Sequence, residues 1–358
     1  MSKRYFFLSL TRIADFTQED IELKKQARKK WIMGDYVACK VAKPPGSMKV
    51  EMTCGRMAEI AEGDILIGAL GDRFATREAT GTFREVGKNL KMHLLTSAGI
   101  FGKMTSISSF IPRLASLKYM GHVHRDGKFL NMMDFSLVPK DLKSGFPKFE
   151  TPVALIVGTS MSAGKTTAAR IIIRQLKMAG LKVVAAKLTG AGRYRDTLGM
   201  LDAGAEYITD FVEAGLPSTI LPGKEYIVAL KAMLGKIQEQ NADIVVIEIG
   251  ASPLEPYNGK YAIKFINPYV KFRVLCASDP YAVFGVMKAF GSQPDLVSGI
   301  ATNTLGGRQL IKKLCGVRSL NIIYPECHPA LQKMLNEKLS PVFDRELFDV
   351  TPDVKHCV

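Results

Sequence analysis

Val153-Ala-Leu-Ile-Val-Gly158-Thr159-Ser160-Met161-Ser162-Ala163-Gly164-Lys165-Thr166-Thr167 is the stretch on which the fold of this chain turns. Its first five residues are apolar without alternation, the pattern of a strand buried on both faces in a parallel sheet. A loop of small residues follows. Then Ala168, Ala169, Ile172, Ile173 and Leu176 recur at helical spacing. Backbone N–H groups can wrap a phosphate only if the loop's side chains stay small, and the helix behind presents its positive end to the anion. The stretch therefore reads as a phosphate-binding loop made of Gly158, Thr159, Ser160, Ser162, Ala163, Gly164, Lys165, Thr166 and Thr167. Lys165 is expected to reach the β- and γ-phosphates and Thr166 to hold Mg²⁺. Five residues separate Gly158 from Gly164, where the common pattern has four.

Downstream, the chain alternates apolar strands with helical stretches. Candidate strands are Val153–Val157, Lys182–Leu188, Asp243–Ile249, Arg273–Ala277, Leu296–Thr302 and Ser319–Ile323. Helices are expected over Thr166–Ala179, Glu225–Gln240, Tyr281–Phe290 and Pro329–Glu337. Residues 152–358 thus predict an α/β domain, a doubly wound and mostly parallel sheet. Upstream the texture changes. Short β-prone runs (Tyr36–Val41, Lys49–Thr53, Asp64–Leu70, Phe74–Phe83, Lys91–Thr96, Tyr119–His124) are separated by turn signals such as Pro44-Pro45-Gly46 and Asp126-Gly127. They predict a smaller β-rich domain, barrel or sandwich, within residues 1–137. Before them, Gln18 to Trp31 predicts a helix capped by Thr17, ending in the cluster Lys24, Lys25, Arg28, Lys29 and Lys30. Residues 138–151, aperiodic and with two prolines, read as a linker.

The 358 residues are 47% hydrophobic, enough for packed cores, and no apolar run approaches the length that spans a bilayer. With six scattered cysteines that do not suggest a disulfide framework, a soluble cytoplasmic protein without membrane association is the expectation. The net charge is +15, and residues 1–140 carry 23 basic and 14 acidic side chains. An anionic partner is implied. No nucleic-acid recognition fold or basic stripe interleaved with aromatics is visible, so nucleic acid is disfavoured.

The loop's longer Gly-Thr-x-x-x-x-Gly-Lys-Thr form resembles that of dethiobiotin synthetase and its relatives, the MinD-like ATPases and cobyric-acid-synthase-type amidotransferases. Three further landmarks follow in that family's order. Ala186-Lys187 is similar to the second lysine that such synthetases aim at phosphates and substrate. Asp243-Ile-Val-Val-Ile-Glu248-Ile-Gly250-Ala251 resembles their acidic Walker B strand, implying Mg²⁺ on Glu248. Gly299-Ile-Ala-Thr-Asn303 is similar to the strand end whose asparagine reads adenine. There are departures: an aspartate stands in dethiobiotin synthetase where Ser160 stands here, and no Pro-His motif follows Lys187. The additional loop lysine of MinD-like members is absent. The whole chain resembles a P-loop family that includes D-glutamate N-acetyltransferase, through Gly55-Arg56, Gly63-Asp64-Ile-Leu-Ile-Gly68-Ala-Leu-Gly71-Asp72-Arg73 and Gly121-His122-Val-His124-Arg125.

Between the second strand and the Walker B strand, glycines stand beside Arg193, Arg195, Asp196 and Asp210. At the carboxyl edge of a parallel sheet these residues belong to the substrate: the arginines can grip a carboxylate or phosphate, and an aspartate can orient an amine or act as a base. The sequence thus predicts an ATP·Mg²⁺-dependent enzyme moving a phosphoryl group to a small anionic metabolite, as a kinase or as a ligase or cyclase. Lys165 and Lys187 would stabilise the transferred charge, and Glu248 and Thr166 would hold the metal. Two other classes stay open: a nucleotide-dependent cofactor-assembly or carrier module, and an N-acyltransferase that binds acyl-CoA with the same loop. A homo-oligomer is compatible with the sequence. His122-x-His124 suggests strand-surface histidines or a metal pair, Asp279-Pro280 a helix cap or a phosphate-sensing switch, and Gly68–Arg73 a turn between strands or a gate on the substrate cleft.

Overall fold

The structure is a computed structural model that describes residues 4–19, 21–44, 48–141 and 145–349. Most of the turn Pro44-Pro45-Gly46, and Cys357, lie outside the described residues. The second half is built on a six-stranded parallel sheet, in the order Tyr207–Asp210, Val183–Thr189, Ile244–Ile249, Val153–Gly158, Val270–Cys276, Leu296–Ser298. The strands Val183–Thr189, Ile244–Ile249 and Val153–Gly158 are buried along their whole length, because helices cover both faces. Ala154 and Ile156 pack against Ile172, Ile173 and Leu176 of α1 (Lys165–Met178). Val153, Leu155 and Val157 point the other way, into the cluster with Tyr226, Leu230 and Met233 of α3 (Gly223–Gln238). Burying each of these large side chains contributes about 1.5–3 kcal/mol. The remaining helices are α2 (Tyr194–Asp202), α4 (Gly259–Ile266), α5 (Pro280–Phe290), α6 (Leu305–Cys315) and α7 (His328–Phe343). The doubly wound α/β expectation is met.

In the first half, strand pairings close a ring: Ile65–Leu70, Tyr36–Lys43, Ser116–Arg125, Lys91–Leu94 and Ile100–Ile107, then Ile65–Leu70 again. All pairs are antiparallel except the closing one. Of the two predicted forms, the structure is thus a small barrel, and closure leaves no free edge within the ring. A hairpin of Asp72–Phe74 and Ala79–Thr82 extends from Ile100–Ile107. It lies against the second half: Phe74 N–H donates to Tyr257 Oη (2.8 Å) and Thr76 Oγ1 to Glu255 Oε1 (2.9 Å).

Several expectations need correction. The helix predicted over Gln18–Trp31 is absent. Ile21-Glu22-Leu23-Lys24 alternates half-buried and exposed residues, and Glu22–Lys24 pairs antiparallel with His122–His124. The two-residue period and the partner strand prevail, leaving only a turn of 3₁₀ helix at Arg28–Lys30. The run Phe74–Phe83 is two strands joined by a turn, and Ser319–Ile323 contributes only the bridge Ser319–Val297. His122 and His124 are buried, not on the surface. Tyr119 Oη lies 2.6 Å from His122 Nδ1, and Asp35 Oδ2 lies 3.3 Å from Nε2. Cys39, Cys54, Cys276 and Cys315 are free thiols, whereas Cys327 is disulfide-bonded.

The segment read as a linker is not loose where it is described. Phe149 is buried, and Thr151 donates from N and Oγ1 to Gln238 Oε1. One apolar cluster runs from Tyr36, Ala38, Ile65 and Ile67 of the barrel to Leu155, Leu188 and Phe211 of the α/β half. No helix among the described residues is long and apolar enough to cross a membrane.

Candidate functional site

The loop after Val153–Gly158 is shaped by two left-handed residues, Ser162 (φ 60°) and Gly164 (φ 97°). Glycine takes such a conformation without steric cost, and here it also caps α1 with no side chain of its own over the helix end. The first-turn N–H groups are therefore available to an anion. Behind the loop stands Gly299 (φ 86°), where a Cβ would come within 2.2 Å of the Ala163 carbonyl oxygen. Thr159 is tied to the end of the next strand: its N–H donates to Cys276 O (3.0 Å) and its Oγ1 accepts from Ser278 N–H (3.0 Å). Asp279 accepts from Ala282 N–H (3.0 Å), which makes it the N-cap of α5.

Lys165 is 5% exposed and donates to Ser160 O (2.6 Å), so it crosses its own loop. Burial lowers its pKa, with Glu248 pulling the other way. Thr166 Oγ1 donates to Glu248 Oε2 (3.0 Å). Burial raises the pKa of Glu248 against the pull of Lys187 and Lys165. Lys187 forms a salt bridge with Asp196 of α2. For Lys187 burial lowers the pKa, but Asp196 and Glu248 outweigh it and the net shift is upward. For Asp196 burial raises the pKa, and Lys187 more than reverses this.

These groups line one cavity of about 500 Å³ between the phosphate loop and the barrel. Ser162, Gly164, Lys165, Thr166, Thr167, Lys187, Arg193, Asp196 and Glu248 line it, as the sequence anticipated in part. Gly158, Thr159, Ser160 and Ala163 shape the loop without lining the cavity. Arg193 is exposed, with Nε 3.9 Å from Asp196 Oδ1. Two of the proposed substrate residues are not brought here. Arg195 points to solvent while its N–H donates to Glu51 Oε1 (2.9 Å). Asp210 is buried and bound by Arg12 Nη2 (2.5 Å), which together with the Val212 N–H (2.9 Å) gives its carboxylate a fixed structural task. Asn303 is exposed, accepts from Asn321 Nδ2 (3.3 Å), and does not line the cavity.

The barrel's share of the cavity was largely invisible in the sequence. Arg73, Glu78, Leu94, Leu95, Thr96 and Ser97 all face it. Glu78 accepts from Ser162 Oγ (3.2 Å), across 84 positions of sequence, and forms a salt bridge with Arg73. No local pattern announces so distant a pairing; only the Gly-Asp-Arg run around Arg73 gave a hint. Among the described residues, no three His, Cys, Asp or Glu side chains gather as a metal site.

No family model matches the chain, nor does any curated protein sequence. Among solved structures it is similar to FtsY from Mycoplasma mycoides, at 16% identity and a TM-score of 0.33, over 49% of this chain and 61% of that one. It is similar to the signal recognition particle 54 kDa protein from Aeropyrum pernix K1, a complex with GDP, at 16% identity and a TM-score of 0.33, over 52% and 44%. FtsY from Elizabethkingia anophelis aligns at 18% identity and a TM-score of 0.32, over 54% and 67%.

Proposed function

We propose that the chain is an ATP·Mg²⁺-dependent enzyme that transfers a phosphoryl group to a small anionic metabolite held in the same cavity. The observation that carries the reading is the convergence of Lys165, Thr166, Lys187 and Glu248 on one cavity that continues beyond the phosphate loop to the barrel wall. Its volume of about 500 Å³ falls in the range of small-molecule sites and leaves room beyond a triphosphate tail.

The Thr166 hydroxyl and the Glu248 carboxylate, 3.0 Å apart, are two hard oxygen donors of the kind Mg²⁺ takes alongside phosphate oxygens. Bound there, the ion would neutralise charge on the phosphates and fix their orientation. The chain's own groups account for the rest. Loop and first-turn N–H groups of α1 hold the phosphates. Lys165 leaves the Ser160 carbonyl for the β- and γ-oxygens. Lys187, held in line by Asp196, faces the charge that develops on the transferred group, and such fixed cations in a partly dry cavity supply most of the catalysis in phosphoryl transfer. Arg193 at the rim suits the acceptor's anionic group.

Lys165→Ala is expected to abolish Mg²⁺-dependent ATP turnover while circular dichroism stays that of the wild type. Turnover at the wild-type rate in that variant sinks the reading. Thermal-shift measurements with ATP, GTP and acetyl-CoA, each with and without Mg²⁺, separate it from the acyltransferase class, because a ligand bound only by the native state raises the melting point. Stabilisation by ATP that requires Mg²⁺ is the expected result, and stabilisation by acetyl-CoA alone contradicts it.

A further inference from the structure

The Arg73 side chain is only 10% exposed, yet it borders the same cavity as Lys165 and Thr166. Its guanidinium is incompletely satisfied. Nη1 donates to Leu95 O (2.6 Å) and Nη2 to Glu78, but Nε is buried with no hydrogen-bond partner. Buried donors of this kind are rare and call for an acceptor. The backbone that carries Arg73 is anchored on the α/β half. Phe74 and Thr76 are bound by Tyr257 and Glu255, and Glu255 in turn accepts from Ser252 N–H (2.6 Å), two residues past Gly250 at the end of the Walker B strand. The barrel thus presents this arginine to the phosphate loop from a fixed base.

Glu78 completes the arrangement. One carboxylate oxygen binds Arg73 and the other accepts from Ser162 Oγ, inside the loop that wraps phosphate. On the nucleotide reading, a carboxylate there is an internal anion against the loop that would take the phosphates. A triphosphate entering the loop repels Glu78 and offers Arg73 a richer set of acceptors. Arginine suits the exchange, because its fork matches carboxylate and phosphate alike.

We propose that Arg73 is a phosphate-contacting residue supplied by the barrel, and that Glu78 is its resting partner, exchanged for the terminal phosphate when a nucleoside triphosphate occupies the loop. A diphosphate fills the loop without reaching Arg73. The pair therefore discriminates triphosphate from diphosphate, and the barrel takes part in nucleotide recognition as well as in enclosing the acceptor.

The proposal rests on the nucleotide-binding reading above, and the test separates the two. Affinities for MgATP (as its non-hydrolysable β,γ-imido analogue) and MgADP, and for the corresponding guanine nucleotides, are measured by calorimetry on the full chain. The proteins compared are the wild type, Lys165→Ala, Arg73→Ala, Arg73→Lys and Glu78→Gln. Arg73→Ala is expected to lower triphosphate affinity at least tenfold and diphosphate affinity less than twofold. Arg73→Lys keeps the charge but not the fork and is expected to fall between. Glu78→Gln is expected to raise the triphosphate-to-diphosphate ratio severalfold. Unchanged diphosphate binding shows that the arginine variants are folded. Should Arg73→Ala lose diphosphate binding, Arg73→Lys, folded by its melting point, decides by the same ratio. A ratio that stays at the wild-type value in folded arginine variants, with Lys165-dependent binding intact, overturns this proposal alone. A wild type that binds none of the four nucleotides overturns the nucleotide reading and this proposal with it.

Discussion

At the scale of single residues, Lys187 and Asp196 form a buried ion pair, and the pair adds a pH dependence to stability. Asp196 lies below its ordinary pKa in the folded chain: burial alone would raise it, and Lys187 reverses this. Its contribution to stability is therefore complete above the ordinary carboxylate range and is lost as pH falls through the depressed value. Lys187, shifted upward, contributes below the ordinary lysine range and loses that contribution as pH rises through its raised value. Asp196→Asn is expected to remove part of the decline in stability on the acid side and to lower stability at neutral pH, since Lys187 is left buried without its partner. Urea midpoints between pH 3 and 7 measure both effects, and identical acid limbs in variant and wild type contradict the pairing. Lys187 was legible in the sequence because it ends a strand that the apolar pattern defines. Arg12 was not. Its task, holding Asp210 across 198 positions, exists only once the barrel sits on the sheet, and it turns a proposed substrate residue into a structural one.

At the scale of elements, α2 shows where the sequence stopped being readable. Its arginine, glycine and two aspartates gave no apolar period strong enough to announce a helix, and its N-cap position, Arg193, makes no side-chain cap. The cap comes from the other half of the protein. Glu51 of the Lys49–Glu51 strand accepts from Tyr194 N–H (2.8 Å) and Arg195 N–H (2.9 Å), and from Ser9 Oγ (2.5 Å). A carboxylate at a helix N-terminus satisfies two open donors and meets the positive end of the dipole. Glu51→Ala is expected to cost about 1–2 kcal/mol and to speed amide exchange at Tyr194 and Arg195; unchanged exchange at both would exclude the capping role. The central strands and α1 were readable because burial on both faces writes itself as a continuous apolar run, and burial on one face of a helix as a local period. The lost helix at Gln18–Trp31 shows the converse. Its basic residues satisfied a helical composition, but strand pairing with His122–His124, a distant contact, decided the outcome.

At the scale of the whole molecule, the sequence suggested two domains and a linker, whereas the structure joins them. The apolar cluster shared by barrel and sheet, the Glu51 cap, the Arg12–Asp210 pair and the Tyr257 and Glu255 contacts all cross the boundary. Calorimetric unfolding of the full chain is accordingly expected as a single transition whose van't Hoff and calorimetric enthalpies agree. Two resolved transitions would show that the halves unfold separately. The basic surplus of the first 140 residues also takes on a partial meaning, since Arg73 and Arg12 belong to the site and to the interface that supports it.

The parallel sheet has its first strand near the middle, and this carries a consequence for biosynthesis. Val153–Gly158 leaves the ribosome well before its two neighbours, Ile244–Ile249 and Val270–Cys276, exist. At ordinary elongation rates the wait is on the order of 5–20 s. For that time a strand with no polar face, followed by the loop that later lines the cavity, has neither of its lateral partners. The barrel, whose ring is already complete in sequence, is the nearest folded surface in the nascent chain. The same adjacency that closes the finished cavity therefore gives the emerging strand a place to rest before the sheet can assemble around it.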